Sequence, residues 1–230
     1  MSLAREGALG RTWIIARAQS SGRGRHGRHW VSPPGNLYAS LLLIDEVPMR
    51  HAPQLGFVAG IALAKALRKC AAHEYLRLKW PNDILFDGAK LAGILLESAE
   101  LPDGRFACVI GFGVNCAAAP RDLPYRATAL AEIGAPSRSP EDVLLHLSDA
   151  IVGALARFAG GADFETIRAE WLSLAAGLGA PIKVDTAKES FSGIFRTIDS
   201  SGRLIVDTTN STRIIEAGDV WLAPQTGSFA

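Results

Sequence analysis

The sequence predicts an α/β (α+β) fold in two parts: a mixed β-sheet with helices over residues 1–177, then a small β-barrel over residues 178–230. Three observations predict it. Before residue 177, strand-like apolar runs are interspersed with segments whose apolar residues recur at helical spacing. After Gly179, five short strand-like runs crowd into ~50 residues, separated by turn chemistry. A hydrophobic fraction of 48% supports a sizeable core and excludes a disordered chain.

The elements follow in order. Residues 13–18 (Trp-Ile-Ile-Ala-Arg-Ala) read as a strand. Residues 20–28 hold three glycines, three arginines and nothing apolar, which predicts a flexible loop. A second strand is predicted over 37–44. Over 53–70, Leu55, Val58, Ala59, Ala62, Leu63, Ala66 and Leu67 recur with helical period. Residues 74–80 alternate like a strand that Pro81 ends, and Asp87-Gly88 marks a tight turn before a strand over 91–97. Residues 105–114 are apolar enough for a central strand. Ser139-Pro140-Glu141-Asp142 predicts a helix start: a capping serine, proline at the first helical position, and acids against the positive dipole end. Gly160-Gly161 stops that helix. Asp163 caps a last one that carries Ile167, Trp171 and Leu172 and ends near Gly177. The barrel strands are expected at 181–184, 191–197, 204–207, 212–216 and 220–222.

Charge names no partner, since 24 Lys plus Arg face 23 Asp plus Glu. Local crowding does: Arg23, Arg25, His26, Arg28 and His29 fall within seven residues. Cys70, Cys108 and Cys116 form no CxxC pair and read as small buried residues of a reducing compartment. No apolar run approaching the ~20 residues of a membrane span is evident, and the start lacks a signal-peptide pattern, so a cytoplasmic protein without membrane contact is expected.

Four stretches carry chemistry. In Gly22-Arg23-Gly24-Arg25-His26-Gly27-Arg28, glycines turn backbone N–H groups toward an anion, and arginines fork onto carboxylate or phosphate. Read alone, it serves equally as a solvated basic turn or a nucleic-acid contact. Trp30, just beyond, is either core or a surface for stacking a base. Lys79-Trp80-Pro81-Asn82-Asp83 places a lysine, an amide and a carboxylate at one strand end. Asn82 can present donor and acceptor to an adenine edge, and Asp83 suits magnesium bound with phosphates. Lys90 enters the otherwise apolar Leu91-Ala92-Gly93-Ile94-Leu95-Leu96, either snorkelling at its edge or aimed at a ligand. Gly93 suggests close approach of a ligand or backbone. Gly111-Phe112-Gly113-Val114-Asn115 repeats glycines followed by an amide. There is no nucleophile elbow, Walker loop or metal-ligand spacing, so catalysis by positioning and electrostatics on phosphate-bearing substrates is indicated.

In this order, these motifs resemble the biotin protein ligase family, with the similarity running from about residue 10 to the end. The glycine-arginine loop followed by Trp30 carries it, with Gln19, Ser32 and residues 36–40 (Asn-Leu-Tyr-Ala-Ser); so do residues 79–83, 90–97 and 111–115. The resemblance implies a catalytic domain followed by an SH3-like barrel. It implies an ATP-dependent enzyme that forms biotinyl-5'-AMP and transfers biotin to a lysine of the biotin carboxyl carrier domain of acetyl-CoA carboxylase. By the same resemblance Gln19 and Gly22 bind the ureido ring, with Arg23 contributing backbone. Arg25 and Arg28 hold the biotin carboxyl and the α-phosphate. Trp30 flanks the adenine, Asn82 and Asn115 meet its edge, and Lys79 joins the nucleotide site. Asp83 places magnesium, Lys90 binds the reacting oxygens, and Gly93 with Leu95 line the biotin pocket.

One departure stands out. The family's Asp-Ser-Thr-Asn-like motif upstream of the first strand has no match in the about ten residues before Arg11, which implies a truncated N-terminal part and a pocket lacking one wall. The DNA-binding domain of some members has no counterpart here, so no DNA partner and no repressor role are expected. A homodimer is left open. The alternatives are a catalytically weak biotin or adenylate binder and, more remotely, a nucleic-acid-binding protein. Lipoate ligase is disfavoured, because the glycine-arginine loop is the biotin-type feature.

Overall fold

The computed structural model describes residues 1–135 and 139–223, apart from the His73 side chain; residues 224–230, the end of the expected C-terminal domain, lie outside them. Short helix α1 (Ser2–Arg5) precedes β1 (Thr12–Ala16), β2 (Leu37–Ile44), α2 (Leu55–Leu67), β3 (Leu76–Lys79), β4 (Asp83–Phe86), β5 (Ala89–Glu100) and β6 (Phe106–Val114). Helices α3 (Pro140–Phe158) and α4 (Phe164–Ser173) follow, then β7 (Pro181–Asp185), β8 (Ser190–Ile198), β9 (Leu204–Asp207), β10 (Thr212–Ile215) and β11 (Asp219–Leu222). The architecture is α+β. Strands β1 to β6 form a six-stranded sheet in the order β1-β2-β6-β5-β4-β3, and β7 to β11 form a second in the order β10-β9-β8-β7-β11. The first sheet, expected as mixed, is antiparallel in every ladder, because short hairpin turns connect β3 to β4, β4 to β5 and β5 to β6. Parallel pairing among the described residues is limited to isolated bridges, Leu78 with Ala175 and Lys90 with Ala127.

Local chemistry explains the boundaries. Asp87 and Gly88 both take positive φ, 47° and 72°, as the tight turn between β4 and β5 requires. Ser139 Oγ accepts from the N–H groups of Glu141 and Asp142 at the start of α3, and Asp163 Oδ1 accepts from Thr166 N at the start of α4. Residues 74–75, expected as strand, belong instead to a single helical turn, leaving β3 only four residues.

Helices α2 and α3 cover one face of the first sheet, and α4 packs on both helices and on β8. Nearly all of α2 is buried, and α3 turns Val143, Leu147, Ile151, Ala154 and Phe158 inward. One apolar core runs from that sheet through the helices into the second, where Val184, Phe195 and Val206 join it. Residues 140–161 are long and apolar enough to cross a membrane, a run the sequence expectation missed; here they form an amphipathic helix and turn whose buried stripe belongs to the core.

The seam between the sheets is specific. Trp80 Nε1 donates to Gly202 O at 3.1 Å, and Gln54 Nε2 donates to Ser200 O at 3.0 Å. Gly202 has φ +82°, and a Cβ there would sit 2.5 Å from the Phe57 ring. Gly202→Ala is therefore expected to destabilise the protein by about 1–3 kcal/mol, a fall in Tm of roughly 2–10 °C by thermal denaturation. An unchanged Tm would show that the seam adds little to stability.

Candidate active site

The open face of the first sheet, the glycine-arginine segment, residues 120–128 and the edge of β11 enclose a cleft of about 1740 Å³. Its floor follows from strand register. Lys79, Asp83, Gly93, Gly113 and Tyr38 are paired across β3, β4, β5, β6 and β2, so one row of side chains points to one side. Ser40, Gly111 and Leu95 form the next row. In a regular strand, Lys90 would point away from Gly93. A bulge prevents this: Ile84 pairs with Ala92 and Leu85 with Lys90, leaving Leu91 as the extra residue. The inserted residue reverses the alternation, burying Leu91 in the core and bringing Lys90 into the cleft.

Trp30 lies over the two floor glycines. A Cβ on Gly113 would be 2.7 Å from its ring and one on Gly93 3.2 Å, so a side chain on Gly113 would displace the indole and one on Gly93 would crowd it. Its buried Nε1–H has no hydrogen-bond partner among the described residues. A buried donor without an acceptor is costly, and a ligand oxygen or nitrogen would satisfy it.

Charges gather around this apolar slot. Lys90 Nζ lies 2.6 Å from Asp83 Oδ1, and Lys79 Nζ lies 3.1 Å from Oδ2. Burial pushes the Asp83 carboxyl up, but the two lysines outweigh it and hold it below the usual carboxylate range. Arg28 Nη2 is 2.8 Å from Asp219 Oδ1, while Arg25 Nη1 donates to Gly218 O at 3.1 Å and lies 3.9 Å from the same carboxylate. Arg23 pairs with Glu97 at 3.3 Å. These five cations face three carboxylates, an excess of two positive charges that favours anions.

The glycine-arginine stretch, expected as a flexible loop, is a small hairpin. Gly24 N donates to Arg28 O, Trp30 N donates to Gly22 O, and residues 25–27 make one helical turn at its tip. Gly22 is buried within it, where a Cβ would come 2.4 Å from Trp30 O. Gln19 faces the cleft, with its Oε1 accepting from Ser32 Oγ at 2.8 Å.

Of the residues singled out from sequence, Gln19, Arg23, Arg25, Arg28, Trp30, Lys79, Asn82, Asp83, Lys90, Gly93 and Leu95 line the cleft; Gly22 and Asn115 do not. Asn115 is 3% exposed, and its Nδ2 donates to Thr128 O. It ties down the segment after β6 rather than facing a ligand. Asn36 does the same at the start of that segment, accepting from the N–H groups of Cys116, Ala117 and Ala118 and donating to Ala118 O. Asn82 donates to Ile94 O at 2.6 Å. Burial pushes the Cys108 and Cys116 thiols up to about 11 and about 12, so neither is a nucleophile at neutral pH.

Asp83 could meet magnesium only together with substrate phosphates: both its oxygens face lysines, and among the described residues no three His, Cys, Asp or Glu side chains gather to hold a metal.

Sequence reasoning missed Asp219 and Tyr125. Asp219 meets Arg28 across 191 positions, which no local pattern reveals. Tyr125 sits in a stretch without helical or strand periodicity.

Residues 6–115 match the biotin/lipoate A/B protein ligase family, and residues 177–222 match the biotin protein ligase C-terminal domain. The biotin–[acetyl-CoA-carboxylase] ligase of Paracoccus denitrificans is 39% identical over 94% of this chain and 92% of its own length. The bifunctional ligase/repressor BirA of Bacillus subtilis is 31% identical, over 96% of this chain and 69% of its own length. Among solved structures, the biotin protein ligase of Aquifex aeolicus in complex with biotin and ATP superposes with a TM-score of 0.79 at 28% identity, covering 96% of this chain and 93% of that one.

Proposed function

The chain belongs to the biotin protein ligase family, and from that premise we propose how its cleft activates biotin and which residues take part. The enzyme condenses biotin with ATP to biotinyl-5'-AMP and then transfers biotin to a lysine of a carboxylase carrier protein. The observation that carries the site assignment is the meeting of an apolar slot with an excess of fixed cations: Trp30 with its orphan Nε1–H over Gly93 and Gly113, beside Lys90, Lys79 and the arginine hairpin.

In the first step a biotin carboxylate oxygen attacks the α-phosphorus of ATP, a new O–P bond forms, and pyrophosphate leaves. Two anions must meet. At about 4 Å and an effective dielectric near 20, each like-charge pair opposes this by about 4 kcal/mol. Lys90 on the floor, with Arg25 and Arg28 on the hairpin, supplies the compensating charge from positions set before substrate arrives. Gln19 and the Arg23 backbone hold the ureido ring, and Gly93 and Leu95 give the biotin body its apolar wall. Trp30, Lys79 and Asn82 take the nucleotide. Asp83 acts as the anchor of Lys79 and Lys90. In the second step the neutral amine of the acceptor lysine attacks the anhydride carbonyl, the C–O bond to AMP breaks, and an amide results. The acceptor is the biotin carboxyl carrier domain of acetyl-CoA carboxylase.

The test is biotin-dependent ATP–pyrophosphate exchange, run beside lipoate, with a carrier domain then offered as acceptor. Biotin should support exchange and labelling while lipoate should not. Biotin with MgATP should also raise Tm by several degrees, because a ligand at 100 times its Kd stabilises the native state by about 2.7 kcal/mol. Exchange with lipoate alone, or with neither acid, would overturn the assignment.

A further inference from the structure

Lys90 is held from more sides than its ion pair with Asp83. Its Nζ lies 5.4 Å from the centroid of the Trp30 ring and 5.6 Å from that of Tyr125, within the range of cation–π attraction on both sides. Tyr125 does not come from the sheet. It belongs to the segment that leaves β6 and returns over the cleft, and that segment is fastened at both ends. Asn36 secures its start through residues 116–118. At its end, Lys90 N donates to Arg126 O at 2.8 Å, Thr128 N donates to Lys90 O at 3.0 Å, and Asn115 Nδ2 donates to Thr128 O at 3.1 Å. The peptide groups of Lys90 thus hold the same stretch of backbone whose tyrosine meets its ammonium.

We propose that Tyr125 is a positioning residue for Lys90: its ring roofs the ammonium and, with Trp30 and Asp83, fixes Nζ toward the reacting anions. The proposal rests on the assignment of Lys90 to the adenylation step. A lysine has a flexible four-carbon stem, and holding its charge at one point before substrate binds avoids reorganisation during the reaction. Asp83 alone would draw the ammonium down to the floor, and the contacts with the two rings oppose that pull. The contact is made by the face of the ring, and burial, with the nearby Asp83 carboxylate, pushes the phenol's ionisation up. At 37% exposed, Tyr125 is also absent from the apolar core, so its replacement leaves core packing intact.

The experiment compares Tyr125→Phe, Tyr125→Leu and Tyr125→Met in single-turnover formation of biotinyl-adenylate, each alone and combined with Lys90→Ala. Tyr125→Leu and Tyr125→Met should slow the maximal rate about tenfold, with the biotin concentration at half-maximal rate changed less than about twofold, as for an interaction felt in the transition state. Tyr125→Phe should restore the rate to within about twofold of the parent. In the Lys90→Ala background the Leu and Met changes should have no further effect, because the group they position is gone. Failure of phenylalanine to rescue, or an equal loss with and without Lys90, would overturn the proposal. Parent-like rates in the Leu and Met variants would do the same. If the parent protein itself forms no adenylate, the ligase assignment falls; if the parent is active and only the tyrosine series departs, this inference alone is wrong. Melting curves of each variant separate lost folding from lost positioning; phenylalanine preserves the side-chain volume, and methionine, unbranched, repeats the ring-removal test should leucine unfold.

Discussion

Lys90→Ala is expected to lower biotin-dependent pyrophosphate exchange by about 100-fold or more, the loss seen when one preorganised donor is removed from an anionic transition state. The fold should survive it. Lys90 lines the cleft and is not part of the core, and its backbone bonds to residues 126–128 do not need the side chain. Nor does its removal strand a charge, because Lys79 remains 3.1 Å from Asp83. Asp83→Ala would behave differently, leaving two part-buried ammonium groups without their shared counter-ion. The contrast is informative: Lys90→Ala should give an intact melting curve with little activity, whereas Asp83→Ala should lose both. Normal exchange in well-folded Lys90→Ala would remove this residue from the chemistry and the mechanism with it.

The elements were largely legible from local signals. Strand β2 matches its expected limits because turn residues bound an apolar run, and α3 begins where Ser139 and Pro140 dictate. The cleft was legible where its residues are clustered in sequence, as in the hairpin and the 79–83 turn. Three features were not, each for a physical reason. The orientation of Lys90 depends on a bulge, which appears in strand pairing and not in the alternation of residues. Asn115 carries an amide suited equally to a nucleobase or to a backbone carbonyl, and only the path of residues 116–130 decides for Thr128. Asp219 lies on a short strand of the second sheet, so its meeting with Arg25 and Arg28 exists only once both sheets have packed on a common core.

That remote contact bears on the largest expected change in specificity, which follows from Arg25→Gly. Arg25 is more enclosed than its neighbour Arg28, at 19% against 53% side-chain exposure, and it ties the hairpin to the second sheet through Gly218 O. Arg28 keeps its own pairing with Asp219 in the variant, so the hairpin remains attached by one tether where it had two. Glycine at 25 also follows Gly24, and each added glycine frees backbone that closure must then order, a change of about 0.4–1 kcal/mol. Loss of charge should slow adenylate formation, while loss of the tether should let the finished anhydride escape into water. Leakage is expected to dominate the phenotype, because any exposed neutral lysine amine can then attack the free anhydride without docking in the cleft. Albumin included as an unrelated acceptor should become biotinylated at least about tenfold faster than with the parent enzyme, which holds the anhydride behind an ordered hairpin. Asp219→Asn should show the same leakage to a smaller degree, since it weakens both arginine pairings but leaves Gly218 O in place. Strict acceptor selectivity in Arg25→Gly, measured alongside normal exchange, would mean that the hairpin does not guard the intermediate.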